Sequence, residues 1–177
     1  VLAWTNSAVD YYNNMIRKMI YGDDCGRLCI GEKMVCNKPI TNSKNQTVLN
    51  NNDEFEVLDF TLKRENRSYT FWYYEVKIKC EGKELKIKIL AEKSESAFKE
   101  EAEKMKNLAV KARPMQRRNA WSKYYRLLEI YADVKYNYAL TVHKSQGSTF
   151  DNVIVINCDI NRIKNNKERN KLLYTAI

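Results

Sequence analysis

Residues 55–90 carry a hydrophobic period of two, which is typical of strands rather than helices. Val76, Ile78 and Cys80 alternate with lysines, and after a Glu-Gly pair the alternation continues over residues 85–89. This period places apolar side chains on one face of a strand and charged side chains on the other. The sequence therefore predicts a β-hairpin with one apolar and one lysine-rich face.

Two further strands are predicted over residues 56–62 and 69–74, and with the hairpin they form a small antiparallel β-barrel. The sequence leaves two functions open for its lysine-rich face. Lysines on exposed strands prevent pairing with other chains, and the same positive charge attracts nucleic acid. The Asn-rich segment at residues 41–53 has few apolar residues and is predicted to be an exposed connection.

The segments on both sides of the predicted barrel alternate between strands and helices. The first strand, VLAWT, precedes a helix for which Ser7 is the predicted N-cap and Gly22 the stop. The apolar stripe of that helix is predicted to comprise Val9, Tyr12, Ile16, Met19 and Ile20. Further strands are predicted over residues 33–36, 136–142 and 152–158, and further helices over residues 94–112, 115–132 and from Glu168 onward. This order predicts an α/β fold: a parallel sheet with helices on both faces, interrupted by the antiparallel barrel.

The chain of 177 residues has 31 lysines and arginines against 22 acidic residues, which gives a net charge of +9. Residues 111–126 hold six basic residues and no acid. Such a run is either a solvated helix face or a surface for a polyanion, and composition does not decide between them. An aromatic stripe on the same helix is predicted to pack in the core rather than stack on bases; it comprises Trp121, Tyr124, Tyr125, Leu128 and Tyr131.

The cysteines and the hydropathy of the chain bound its setting. Five cysteines and no secretory signal predict reduced thiols and an intracellular location. Cys25, Cys29 and Cys36 lack the paired CxxC spacing of a zinc site, so no metal site is predicted. No apolar run approaches the roughly 18 residues that a membrane-spanning helix needs, so no membrane partner is expected.

The only histidine, His143, lies in a polar segment between two apolar runs, YALTVHKSQGSTFDNVIVI. Two strands joined in this way are typical of the ligand-binding edge of a parallel sheet. The hydroxyl of Thr141 and the imidazole of His143 can each donate to a phosphate oxygen. Gly147 allows a close approach of the backbone, and Ser148 adds a hydroxyl. The alternative is a structural histidine in an ordinary turn.

Three segments resemble motifs of superfamily 1 DNA helicases, specifically of the RecD-like and Dda-like branch. Residues 139–150, ALTVHKSQGSTF, closely resemble motif V. Residues 5–13, TNSAVDYYN, resemble motif IV, and residues 171–177, KLLYTAI, resemble the opening of motif VI. The three segments occur in the order of the family, and the predicted barrel is similar to the SH3-like insertion of this branch.

The resemblance implies an ATP-dependent DNA helicase that moves along single-stranded DNA in the 5′ to 3′ direction. Residues 1–45 and 92–177 would form its second RecA-like motor domain, and residues 46–91 would form the SH3-like barrel. Single-stranded DNA and the N-terminal RecA-like domain of the same protein are the implied partners. By position in the motifs, the implied DNA-binding residues are Thr141, His143, Lys144, Asn6 and Asn13, and the implied nucleotide-cleft residues are Gln146, Gly147 and Ser148.

No catalytic residue is implied within this chain. The motif VI arginine that stabilises the γ-phosphate would lie beyond Ile177. The sequence also contains no GxxxxGK followed by Ser or Thr, so ATP and Mg²⁺ would be held mostly by the preceding RecA-like domain. Because the chain begins with Val and ends within a motif, we expect it to be part of a longer protein and inactive alone.

Two other functions are compatible with the sequence. The first is a non-catalytic nucleic-acid-binding module, which would depend on the net charge and the lysine-faced barrel. The second is a barrel that binds a protein partner, as SH3-like barrels often do.

Overall fold

Residues 1–41, 46–65 and 70–176 are described by a computed structural model, in which helices and strands occur together. This mixed content agrees with the predicted α/β class. The chain divides into two units: unit 1 comprises Val1–Cys25 and Tyr136–Ile177, and unit 2 comprises Gly26–Lys135. Unit 2 therefore extends beyond the predicted barrel segment on both sides.

The strands and helices of the described residues follow one another in a mixed order. In chain order they are β1 (Leu2–Ala3), α1 (Asn6–Tyr21), β2 (Lys33–Cys36), β3 (Ile40–Thr41), β4 (Thr47–Leu49), β5 (Glu54–Arg64), β6 (Trp72–Cys80), β7 (Lys83–Leu90), α2 (Glu95–Lys111), α3 (Pro114–Leu128), β8 (Val134–Tyr136), β9 (Leu140–Thr141), α4 (Val142–Ser145), α5 (Asn157–Ile160) and α6 (Asn166–Ala176).

Unit 1 is built on short parallel segments. β1 pairs with β9 in parallel, and Leu2 forms a parallel bridge with Val155 on its other side. Leu2 donates to the carbonyl of Ile154 at 2.8 Å and accepts from the amide of Ile156 at 2.9 Å. The strands predicted over residues 136–142 and 152–158 are thus much shorter than expected, because the chain turns into α4 and α5 immediately after them.

The two faces of this small parallel sheet pack against different helices. Leu2 lies in a core cluster with residues of α4, α5 and α6, such as Val142 and Leu172. Ala3, the next residue, lies in a second cluster with Val9 of α1. Because successive strand residues point to opposite faces, a strand of two residues is sufficient to connect both clusters.

Helix α1 begins and buries its side chains differently from the sequence prediction. Its N-cap is Thr5, whose hydroxyl accepts from the amide of Ala8 at 3.2 Å, so the predicted cap at Ser7 is wrong. Gly22 ends the helix as predicted. The buried residues are Val9, Asn13 and Arg17, and two residues of the predicted apolar stripe, Met19 and Ile20, are 78% and 57% exposed.

Unit 2 contains an antiparallel sheet in which the predicted hairpin is confirmed. β6 pairs with β7 from Tyr73 opposite Leu90 to Cys80 opposite Lys83. The connecting residues Glu81 and Gly82 have φ values of 48° and 79°, which two-residue hairpins with a type I′ turn require. The apolar face of the hairpin is buried, whereas residues 66–69, where one further strand was predicted to begin, lie outside the described residues.

The sheet of unit 2 does not close into a barrel over the described residues. Its five strands run in the order β7-β6-β5-β2-β8, and the two edge strands form no ladder with each other. A single hydrogen bond of 2.7 Å, from the amide of Ala132 to the carbonyl of Lys88, links the β7 edge to the segment before β8. The predicted closed barrel is therefore corrected to an open sheet, because β8 is only three residues long.

The Asn-rich segment is only in part an exposed connection. β3 and β4 form a two-stranded antiparallel sheet within it, and Leu49 is buried at 1% exposure. Residues 42–45 lie outside the described residues. One buried leucine in a polar segment does not produce the alternating pattern that predicts a strand. This small sheet was therefore not predicted from the sequence.

Helices α2 and α3 form a hairpin in unit 2, and Pro114 is the first residue of α3. Proline is favoured at this position because its missing amide would have no partner there. Of the aromatic stripe, Tyr131 is buried, whereas Tyr125 is 54% exposed. The prediction that the stripe packs in the core is therefore confirmed for Tyr131 and wrong for Tyr125.

Ion pairs neutralise part of the lysine-rich face of the sheet. Lys63 pairs with Glu75 and Lys77 pairs with Glu84, each at 2.7 Å. Hydrogen bonds from these two lysines hold the pKa values of Glu75 and Glu84 below their usual range. Lys88 pairs with Glu65 at 3.0 Å. The face thus carries mixed charge, which favours a solvated surface over a contact with a polyanion.

The cysteines are free thiols, and two of them are buried in unit 2. Burial raises the pKa values of Cys36 and Cys80, which makes them unreactive. In the part of the chain that the structure describes, no three His, Cys, Asp or Glu side chains lie close enough together to hold a metal ion. No described helix combines the length and the apolar character needed to cross a bilayer.

Candidate functional site

The segments predicted to carry function lie at one edge of the parallel sheet of unit 1. Ala3 is the register partner of Thr141, so the carboxyl ends of β1 and β9 are at the same edge. The β1–α1 loop leaves from one strand and α4 leaves from the other. Ligands of open parallel sheets bind at this edge, outside the carboxyl ends of the strands.

Thr141 and His143 present polar groups at this edge. Thr141 is the N-cap of α4, and its hydroxyl accepts from the amide of Lys144 at 3.3 Å. Because it accepts in this bond, the hydroxyl keeps its proton for a further acceptor. Val142 and Ser145 are buried, and the intervening His143 and Lys144 are exposed. The imidazole is therefore a surface group and not a structural histidine of the interior.

The predicted cleft residues form a turn after α4. The amide of Ser148 donates to the carbonyl of Ser145 at 2.9 Å. Gln146 has φ −59° and ψ 124°, and Gly147 has φ 86°. These angles define a type II turn, which needs a positive φ at its third residue. Gln146, Gly147 and Ser148 are all exposed.

Replacing Gly147 with alanine is expected to destabilise unit 1 by about 1–2 kcal/mol, the cost of a left-handed backbone at a residue with Cβ. The added Cβ would meet no atom within 4 Å, so backbone strain is the only cause. Urea denaturation measures the change. Gly26→Ala is the matched control, because Gly26 has equal space and no positive φ. Equal effects of the two substitutions would contradict a type II turn.

Asn13, one of the predicted DNA-binding residues, lies in the interior. It is 3% exposed, and its carbonyl oxygen accepts from the amides of Tyr138 and Ala139 at 3.0 and 2.8 Å. Its amide group donates to the carbonyl of Ala139 at 3.2 Å. Asn13 thus holds the segment that leads into β9, and this burial replaces the predicted place on the DNA-facing surface.

Asn6, the other predicted residue of motif IV, is exposed at the first position of α1. The structure therefore brings Asn6, Thr141, His143 and Lys144 to the same edge of the sheet and separates Asn13 from them. The side chains at this edge offer a carboxamide, a hydroxyl, an imidazole and an ammonium group. These groups donate hydrogen bonds without requiring a particular base sequence.

Asp159 organises this edge, and the sequence interpretation missed it. It is 3% exposed, and its Oδ2 accepts from the amides of Trp4 and Thr5 at 2.9 and 2.8 Å. The hydroxyl of Thr5 also donates to the carboxylate, at 3.1 Å from each oxygen. The sequence contained an indication of this role. Asp159 closely follows the apolar run VIVI, near the end of a predicted strand.

The comparison with known proteins bears on the same region. Residues 136–177 match a family described as UvrD-like helicase C-terminal domain. This match supports a superfamily 1 helicase C-terminal region in the part of the chain that contains α4 and α6.

Two curated relatives are similar to the chain. An uncharacterized protein of Acanthamoeba polyphaga mimivirus is 26% identical over 223 aligned residues, which cover 99% of this chain and 45% of that protein. An uncharacterized protein of Methanocaldococcus jannaschii is 47% identical over 57 residues, which cover 30% of this chain and 5% of that protein. The chain thus spans less than half the length of either relative.

Proposed function

We propose that this chain contains the second RecA-like motor domain of an ATP-dependent DNA helicase that moves 5′ to 3′ along single-stranded DNA. The observation that carries this proposal is the Thr141–Lys144 segment, in which His143 and Lys144 are exposed and Thr141 is half-buried. It lies at the carboxyl edge of parallel strands and within the region that matches the helicase family. The RecD-like and Dda-like branch, and with it the polarity, rests on the resemblance of residues 139–150 to motif V.

In this proposal unit 1 is the motor domain, and unit 2 is the insertion of the branch, built on an open sheet and not on the barrel that the resemblance implied. The division of the chain into Gly26–Lys135 and the remaining residues supports such an arrangement. It assigns α2 and α3 to the insertion, although the sequence interpretation had placed residues 92–177 in the motor domain. Motif IV and motif V then belong to the same unit, and both lie at the edge of its parallel sheet.

The proposed mechanism gives unit 1 a weak hold on DNA that depends on its state. Thr141 and His143 donate to phosphate oxygens, and a neutral hydrogen bond contributes only about 0.5–1.5 kcal/mol. Contacts of this strength can be released in each cycle. Movement requires that the affinity for DNA differ between two states, because a ligand that binds both states equally shifts nothing.

The turn of residues 145–148 fits a nucleotide contact. Gln146 offers a carboxamide, Gly147 a backbone that a ligand can approach closely, and Ser148 a hydroxyl. Hydrolysis of bound ATP supplies the free energy for the change of state. In this proposal the nucleotide is held mostly by the preceding RecA-like domain, and this chain alone is inactive.

Replacing both Thr141 and His143 with alanine is expected to weaken the binding of a labelled oligothymidine about 10-fold, because two phosphate hydrogen bonds are lost. The slope of log affinity against log salt should not change, since neither side chain is a fixed cation. Fluorescence anisotropy at several salt concentrations measures both quantities. Asn14→Ala with Thr175→Ala, two exposed polar residues, is the control. Unchanged affinity in the Thr141 and His143 variant would remove this segment from the DNA site.

The alternative of a non-catalytic nucleic-acid-binding module receives less support. It depended on the lysine-faced barrel, and three lysines of that face are paired with glutamates. It would also leave the match of residues 136–177 to a helicase family without a role.

A further inference from the structure

Unit 2 carries a segment of unbalanced positive charge outside the site described above. Between residues 104 and 128 the chain has basic residues and no acidic one. The segment comprises the end of α2, the connection and all of α3. Its basic residues are Lys104, Lys106, Lys111, Arg113, Arg117, Arg118, Lys123 and Arg126.

Most of this charge is not neutralised by ion pairs. Lys104 and Lys106 lie 3.7 Å from Glu101 and Glu103. Within residues 1–41, 46–65 and 70–176, none of the six basic residues from Lys111 onward has an acidic partner. On the sheet face, in contrast, Lys63, Lys77 and Lys88 are paired with glutamates. The helical hairpin is therefore the surface of unit 2 with the greatest excess of positive charge.

A groove runs between α2 and α3 at the connected end of the hairpin. Its volume is about 670 Å³. Three cationic side chains line it, with two carboxamides and several apolar side chains between them. The lining residues are Met105, Leu108, Lys111, Ala112, Arg113, Gln116, Asn119, Ala120 and Lys123. Leu108 is 67% exposed, so its apolar side chain is accessible at the groove.

We propose that this groove binds the sugar–phosphate backbone of a single-stranded nucleic acid. Lys111, Arg113 and Lys123 are placed to neutralise successive phosphates, and Gln116 and Asn119 can donate to sugar or phosphate oxygens. The apolar lining can contact the sugars. A groove between two helices of one hairpin, with cations on both of its walls, suits a single strand.

Charge and chemistry favour nucleic acid over an acidic protein segment as the occupant. An acidic protein segment would present carboxylates at irregular spacing, whereas a nucleic acid presents one phosphate at every nucleotide. An acid-free surface with cations on both walls of a groove matches this repeated charge. This contact is independent of Thr141 and His143, because its residues lie in unit 2.

The exposed aromatic residues of α3 are not part of the groove. Trp121 stacks on Tyr125 with ring centroids 5.8 Å apart. At 100° per residue, Tyr125 lies on the side of α3 opposite Lys123 and Gln116. Binding in the groove therefore uses phosphates and sugars without stacking of bases, and it should show little preference for sequence.

Anisotropy of a labelled oligothymidine on the full chain tests the proposal. The groove variant changes Lys111, Arg113 and Lys123 to glutamine. Its affinity should fall about 10- to 100-fold, and its salt slope should fall by about 2, because each lost phosphate contact contributes about 0.7 for a single strand. Arginine at positions 111 and 123 should retain the affinity of the unchanged chain.

A sheet variant, with Lys77, Lys79 and Lys86 changed to glutamine, removes the same total charge and is the matched control. It should leave the salt slope unchanged. Equal losses in the two variants would show a general electrostatic attraction and would overturn the groove. Displacement of the oligonucleotide by polyglutamate, at the same charge concentration, would identify the groove as a site for acidic protein segments instead.

The outcomes also separate this proposal from the helicase proposal. A groove variant without effect, beside a weakened Thr141 and His143 variant, overturns the groove alone. A weakened groove variant beside an unaffected Thr141 and His143 variant leaves the groove and removes the proposed motif V contact. All of the substituted groove residues are exposed, and circular dichroism checks that the variants fold.

Discussion

Asp159→Ala is expected to destabilise unit 1 by about 3–5 kcal/mol, since the substitution removes a buried carboxylate with several donors around it. The amides of Trp4 and Thr5 and the hydroxyl of Thr5 all donate to this carboxylate. Hydrogen bonds to a charged group contribute about 1.5–3 kcal/mol each, and buried donors without a partner add a desolvation cost.

Urea denaturation followed by the fluorescence of Trp4 measures this loss, in a background where Trp72 and Trp121 are phenylalanine. Both of those tryptophans are in unit 2, so the remaining signal reports on unit 1. Asp10→Ala is the control, because Asp10 is exposed on α1 and its removal should change stability by less than about 0.5 kcal/mol.

The Asp159→Asn variant distinguishes the contribution of the carboxylate charge from that of the side-chain shape. It keeps the size of the side chain but turns one acceptor oxygen into a donor that faces other donors. We expect Asp159→Asn to recover less than half of the loss. Full recovery would show that the carboxylate fills space in the core and does not fix the β1–α1 loop.

The hairpin of unit 2 could be predicted from the sequence because all of its causes are local. The alternation around Val76 and Ile78 specifies the buried face, and the Glu81-Gly82 pair supplies two residues that adopt positive φ. The register follows from the length of the turn. The same reasoning located the stop of α1 at Gly22, which is also a local feature.

The parallel sheet of unit 1 was harder to predict because its strands have two residues each. β1 and β9 are adjacent only through contacts between residues about 138 positions apart, such as Leu2 with Leu140. No local pattern sets where such short strands end. The segments were correctly expected to share a sheet edge, but the bounds of residues 136–142 and 152–158 were too long.

The candidate site contains polar residues whose surroundings are local and others whose partners are distant in the sequence. The exposure of His143 and Lys144 follows from the local pattern, in which Val142 and Ser145 turn inward. Asn13 and Asp159 depend on backbone groups more than 120 residues away. Asn13 was assigned to the DNA-binding site only by its position in the segment that resembles motif IV, and a resemblance of this kind does not report burial. Asp159 was missed because sequence patterns treat polar side chains as exposed.

Asn13→Ala is expected to destabilise unit 1 by about 2–4 kcal/mol, because it removes three hydrogen bonds to the backbone of Tyr138 and Ala139, two of them to buried groups of Ala139. The same urea titration measures the change. Asn14→Ala is the matched control, since Asn14 follows on the same helix and is exposed. Its helix propensity changes in the same direction, so the difference between the two variants isolates the buried amide.

The Asn13→Leu variant distinguishes two causes of the stability lost in Asn13→Ala. Leucine branches at Cγ like asparagine but is the larger side chain, so it leaves no cavity, and it offers no hydrogen bond to the two amides and the carbonyl. If unpaired backbone groups are the cause, Asn13→Leu should be no more stable than Asn13→Ala; if a cavity is the cause, Asn13→Leu should be more stable than Asn13→Ala. In the first case, the conformation of β9, and therefore the position of Thr141 at the sheet edge, depends on a side chain of motif IV.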